Sequence, residues 1–391
     1  MLLRHAFVVL FLFGLLASPR AEAYTWMIRH GYSSCAACHA DPSGAGLVTA
    51  YGRAQSELLV AAHYGKPKEE VSRSTGFLFG AVNTPDWLLL GLSFRGGPLV
   101  NKAGSADPTV RPVQMASDLR AQATFGQFRA NASVGFALRR ARLAALTTTE
   151  ANNVVSRDHW LGWDNENQTL LVRAGRINLP FGLRNVEHTA WVRERTRTDT
   201  NEHQQYGVAV AYNGEGMRGE VMGIAGNFLL NPDAYRERGY SGYFEVSPSS
   251  TLALGVSSLV TRADYDVDSR LPDFWRQAHG VFGRWAVGGP LVLMGEADLI
   301  VNSSRDQRAG LGYTGMLQAD IEPVRGLHVI LTGETLRTVG GPGTNVGGGL
   351  AVAFFFFPQL ELRVDGIARR LATDSGGATT FSVLSQLHVS L

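Results

Sequence analysis

Long apolar runs, an excess of one charge and cysteine are all scarce in this sequence. Beyond residue 23 no stretch offers 18 consecutive apolar residues, which excludes helical membrane spans but leaves a crossing built from strands untouched. Basic and acidic side chains nearly balance, 36 against 34, so no strong field marks nucleic acid as a partner. Nothing reads as a nucleophile elbow, a phosphate-cradling loop or a metalloprotease helix, and hydrolytic chemistry therefore has no carrier. The whole chain holds two cysteines, too few for a disulfide scaffold.

The first 23 residues read as a secretory signal. Met1 to His5 is basic, Ala6 to Ala17 is apolar, and Ala21-Glu22-Ala23 is a small-residue cleavage site before Tyr24. The apolar part falls short of the roughly 20 residues that a spanning helix needs. Loss of Arg4, Arg20 and Glu22 leaves 34 basic and 33 acidic side chains.

Both cysteines lie in Cys35-Ala36-Ala37-Cys38-His39. A pair of thiols three apart with an imidazole directly behind can form two thioethers to porphyrin vinyl groups and give the iron a proximal nitrogen. A redox CxxC would sit in a βαβ context that this glycine-rich stretch does not offer. The expected cofactor is one covalently attached c-type haem, bound by Cys35 and Cys38 with His39 on the iron. The spacing predicts a helix over Leu47 to Tyr64, with Leu47, Tyr51, Ala54, Leu58 and Ala61 on its apolar stripe. His63 ends that helix and is taken as the candidate second metal ligand, with His30 and Met27 open as alternatives. Residues 24–85 form the expected haem segment, too small for an ordinary independent core.

From residue 86 to 391 the chain alternates. Phe128, Ala130, Ala132, Val134 and Phe136 are interleaved with Arg129, Asn131, Ser133 and Gly135, and Leu360, Leu362 and Val364 with Glu361, Arg363 and Asp365. Period two means strands with one apolar and one wet face. Sixteen are expected, the first over 86–95, the fourth over 154–163 and the last over 379–391. Tight turns such as Asn213-Gly214-Glu215-Gly216 follow even-numbered strands, and long polar connections follow odd-numbered ones. Aromatics such as Tyr206 and Tyr212 flank apolar faces, and Phe354 to Phe357 reads as a bulge in an interfacial girdle. The expected fold is all-β, an antiparallel transmembrane barrel of about sixteen strands preceded by a small helical haem segment. An even count puts both chain ends at the periplasmic side, where the haem segment hangs or plugs the mouth. The third outward connection, 178–202, is rich in arginine and is expected to fold into the lumen, where Arg173, Arg176 and its own arginines form an anion-attracting constriction.

These pieces together resemble a fused monohaem cytochrome–porin of the outer membrane, the type associated with iron-oxidising bacteria. The resemblance is sharpest over Met27-Ile28-Arg29-His30-Gly31-Tyr32, the Cys35 to Pro42 stretch and Tyr51-Gly52-Arg53. Arg173-Ala174-Gly175-Arg176 with Leu179-Pro180-Phe181-Gly182 is also similar to phosphate-selective porins. The resemblance implies electron transfer across the bacterial outer membrane, from an extracellular donor such as Fe(II) to a periplasmic carrier that is a c-type cytochrome or a copper protein. Outer-membrane lipid and further copies of the chain are the other implied partners. The alternative is an anion-preferring diffusion porin whose haem segment is a plug or sensor.

Overall fold

A computed structural model describes residues 25–44, 46–62, 76–136, 154–184, 190–200, 202–374 and 376–391. The predicted signal, His63 and the charged linker after it lie outside the described residues. Among those residues no helix is long and apolar enough to cross a membrane, and the crossing falls to strands.

Seventeen strand segments form one antiparallel sheet: β1 (Leu88–Ala103), β2 (Thr109–Phe125), β3 (Phe128–Phe136), β4 (Val154–Val155), β5 (His159–Asp164), β6 (Leu170–Ile177), β7 (Gln205–Gly214), β8 (Met217–Gly226), β9 (Arg238–Ser249), β10 (Leu252–Tyr265), β11 (Pro272–Gly288), β12 (Leu291–Ser303), β13 (Gly310–Val324), β14 (Leu327–Arg337), β15 (Asn345–Phe357), β16 (Leu360–Thr373) and β17 (Gly376–Ser390). Both β4 and β5 pair with β3, so they are one interrupted stave and the wall has sixteen. The first stave pairs with the last, Arg95 opposite His388 and Val100 opposite Val383, which closes the barrel. Closure leaves no edge for lipid to strip of hydrogen-bond partners.

Alternation sets the two faces. Leu161, Val256, Leu317 and Leu331 point outward and are exposed, whereas Glu220, Glu245, Asp298, Gln318 and Arg363 point inward and are buried. Rings gather on the outer surface near the tight turns, where Trp87 stacks on Phe125 at 5.5 Å, and near the opposite rim, where Tyr206 stacks on Phe228 at 4.6 Å. The predicted bulge is present as a register shift between Phe355 and Phe357. It divides the four rings: Phe357 faces out, and Phe355 is buried inside against Trp26.

The structure departs from the sequence reading in three places along the wall. β1 continues to Ala103, well past residue 95, because Gly96-Gly97-Pro98 continues the strand beyond a bulge at Arg95 and Gly96. Pro98 lies opposite Pro112. The fourth strand breaks at 156–158, where Arg157 turns to Asp118 at 2.9 Å and Asn131 donates to Asp158. The outward connections are not uniformly long: residues 104–108 suffice between β1 and β2, and 374–375 between β16 and β17.

Two outcomes follow. A side chain at Gly97 would run into the Ser385 carbonyl across the seam, so Gly97→Val is expected to abolish the heat-modifiable folded band on cold electrophoresis, while Gly126→Ala, in an open turn, keeps it. Leu317→Arg places a charge on the mid-strand lipid face and is expected to cost about 2–4 kcal/mol in a urea titration of folding into vesicles.

Candidate functional site

Two inserts fill the lumen, one from each end. The first is the N-terminal segment. A short 3-10 turn, Thr25–His30, buries Trp26, Met27 and Ile28. They pack with Phe282, Val292 and Met294 on the inner wall, an apolar patch in an otherwise polar lumen. Cys38 N and His39 N both donate to Cys35 O, at 3.2 and 3.0 Å, so both thiols and the imidazole share one tight turn. The chain then doubles back, with Ala40 N on Leu47 O at 2.9 Å and His39 bridging Val48. Thr49 ties the return: its hydroxyl donates to Ala37 O at 3.0 Å and accepts from Gly52 N at 3.1 Å, capping a helix.

That helix runs Ala50–Gln55 and continues as a wider turn through Ser56–Val60. Its buried side is Gly52, Arg53, Glu57 and Val60, whereas Tyr51 is exposed. The predicted apolar stripe holds at Leu47 and Ala61, which are buried, and is corrected at Tyr51, whose place on the buried side is taken by Arg53 and Glu57. An interior lined with polar groups rewards polar contacts, and Arg53 donates to the carbonyls of Leu90 and Leu391. Gly52 permits close approach, since a Cβ there would stand 2.8 Å from Cys38 O. Gly44, at φ +99, does the same for Cys35, whose Sγ would be 2.9 Å from such a Cβ.

All of these wall contacts lie at the tight-turn end. Ser56 Oγ donates to Pro358 O at 2.7 Å and Ala62 N to Phe355 O at 2.8 Å. Tight turns face the periplasm in outer-membrane barrels, and the segment plugs that mouth.

The second insert is the connection after β6. Leu179, Phe181, Leu183, Trp191 and Val192 are buried, and Trp191–Thr196 is a short helix. Trp191 N donates to Glu334 at 2.7 Å and Leu183 N to Glu296 at 2.8 Å, so the loop folds inward as the sequence predicts. Half of the six arginines expected to form an anion-attracting constriction pair with lumenal carboxylates. Arg193 pairs with Glu296, Arg197 with Asp266, Asp268 and Glu237, and Arg173 with Glu220 and Asp41. Buried charge demands a partner, and this lumen supplies carboxylates for those arginines.

Wall arginines also grip the first insert on both sides of the cysteine turn. Arg284 donates to Ser33 O at 2.8 Å, Arg173 to Asp41 at 3.3 Å and Arg218 to Pro42 O at 3.4 Å. Glu245 holds Arg218 bidentately at 2.8 and 3.2 Å and also engages Arg284. Burial alone would raise the Asp41 carboxyl, but Arg173 and Arg184 hold it down to about 2. The inserts meet here, Asn178 donating to Asp41 at 3.0 Å and Arg184 to Ser43 at 3.1 Å.

Cys35 and Cys38 are both buried. Cys38 and His39 line a cavity between the inserts and the wall, together with Met27, Leu47, Val48 and Phe355. Arg53, Arg95, Arg120, Arg184 and Arg363 line its remaining sides, interspersed with the carboxylates of Asp118, Asp320 and Glu361. Two thiols and an imidazole on one turn, beside a cavity with apolar groups on one side and several arginines among its polar ones, fit a thioether-bound haem with two carboxylate tails. Of the sequence candidates for the second iron ligand, Met27 shares this cavity. Burial, then Arg29, Arg325 and His328, push the His30 imidazole down to about 4. His63 lies outside the described residues. The wall contributes two histidines that the sequence reading missed, His328 on β14 and His388 on β17, and both line the same cavity.

No family model matches the chain, and no curated protein matches it. Among solved structures it is similar to the outer-membrane protein OmpT of Vibrio cholerae in a form lacking loop L8, with 12% identity, 78% of this chain and 99% of that one covered, and a TM-score of 0.58. In-vitro folded OmpT in a trimer form gives 11%, 77%, 98% and 0.56. An anion-selective porin from Comamonas acidovorans gives 12%, 78%, 99% and 0.57. Likeness at this identity speaks for fold, and a closed wall with apolar outer and polar inner faces agrees with it. The chain is a porin-like antiparallel β-barrel of the bacterial outer membrane.

Proposed function

We propose that this barrel carries electrons across the outer membrane through one c-type haem held in its periplasmic plug. The observation that carries the reading is the housing of Cys35, Cys38 and His39. They share one turn beside a lumenal cavity and are gripped on both flanks by wall arginines. The haem supplies a one-electron Fe(III)/Fe(II) couple. Cys35 and Cys38 would anchor it, His39 would bind its iron, and Arg53, Arg95, Arg120 and Arg184 would suit its carboxylate tails.

A single haem does not span an apolar band about 25 Å tall. An extracellular donor such as Fe(II) has to enter the lumen from the long-loop side, and a periplasmic c-type cytochrome or copper protein takes the electron at the tight-turn mouth. The purified protein, matured with covalent haem, is expected to show reduced visible bands on Fe(II) addition that fade when an oxidised periplasmic cytochrome follows. A covalent haem inert to both reagents would falsify the conduit.

The second reading is an anion-preferring diffusion porin with a haem-bearing plug or sensor. The comparisons speak for it more directly than for electron transfer, since a neighbour in fold is an anion-selective porin. Against free diffusion stand the two inserts and the carboxylate partners of Arg173, Arg193 and Arg197. Planar-bilayer recording of the intact protein decides: the plugged lumen predicts little steady conductance, and an open channel with a chloride-directed reversal potential favours the porin. Homo-oligomers, in keeping with the trimer form of OmpT, belong to either reading.

A further inference from the structure

We propose that the barrel wall, not the haem segment, supplies the second axial ligand to the iron, through His328 Nε2. The proposal rests on the haem reading above and adds the residue that completes it. His328 is 1% exposed, inward-facing on β14, and lines the cavity that Cys38 and His39 line from the plug side.

The ring is already arranged as a ligand. Its Nδ1 stands 2.8 Å from Asp320 Oδ1, a carboxylate that accepts from an Nδ1–H, and in that tautomer Nε2 is the ring nitrogen open to a metal. A carboxylate behind a ligating histidine is the usual support for orientation and basicity at metal sites. Trp26 lies against the ring at 4.2 Å between centroids and Phe355 meets it edge-on at 5.5 Å, so it has little freedom to turn.

Nε2 itself is buried and has no hydrogen-bond partner. Glu322 Oε1, at 3.9 Å, is beyond hydrogen-bond reach and already accepts from Gly326 N at 2.7 Å, while Arg29 pairs with that carboxylate. Leaving a buried polar atom unmatched carries a cost that coordination would remove. Met27 shares the cavity but packs within the apolar cluster of Trp26, Ile28 and Phe282.

The test is spectroscopy of the full-length protein with its covalent haem. Wild type is expected to be low-spin with a bis-imidazole signature by electron paramagnetic resonance and no thioether-to-iron band in the far red. H328A is expected to keep the covalent haem and the heat-modifiable band, turn high-spin, and recover low spin with added imidazole. H328M is expected to gain the far-red band. A covalent haem with unchanged spin state in H328A overturns the ligand alone, as does a wild-type thioether band that M27A removes. If H328A does not fold, the wild-type spectrum still decides between bis-imidazole and imidazole–thioether ligation. Absence of covalent haem from wild type overturns the haem reading and this ligand with it.

Discussion

Every backbone amide of a stave that meets lipid must find its partner inside the protein. That requirement is met at one seam, where β1 pairs with β17 and Leu92 and Leu391 exchange hydrogen bonds at 2.8 Å each. The same Leu391 carbonyl accepts from Arg53 of the plug helix at 3.5 Å. Wall closure and plug seating therefore share an atom. Without the seam neither the lumen nor anything docked in it has a fixed shape.

Once the wall is closed, alternation commits its inner face to polar groups, and the inserts have to match them. Arg173, Arg218 and Arg284 do this with carboxylates behind them and the plug in front. Removing one partner of a buried pair costs roughly 3–5 kcal/mol, since it strands the other charge. Such a network tolerates one docking position of the cysteine turn and penalises displaced ones. The apolar patch of Phe282, Val292 and Met294 adds adhesion without direction.

The sequence made the period-two wall legible because a side-chain alternation needs no tertiary information. The single turn of Cys35 to His39 and the inward fold of the 178–202 connection were legible for similar local reasons. The buried side of the helix over Ala50–Val60 was not, because an apolar stripe predicts burial only where the surroundings are apolar. The carboxylate partners of the loop arginines lie many residues away, Arg193 pairing with Glu296 across the lumen, and no local pattern announces them. The place of His328 was not legible either, because it is barrel closure that carries residue 328 to the cavity beside the cysteine turn. The break at 156–158 hid inside an otherwise regular alternation.

The depth of the cysteines constrains the order of maturation. Cys35 and Cys38 are 4% and 2% exposed, walled in by Gly44, Gly52 and the arginines of the far side of the lumen. An enzyme that joins thiols to a porphyrin needs both sulfurs in reach, and the finished barrel offers neither. If the haem proposed above is attached to them, attachment would have to precede closure, while the segment is still an unpacked chain in the periplasm. The wall would then assemble around a prosthetic group already in place, like a cask coopered around its contents.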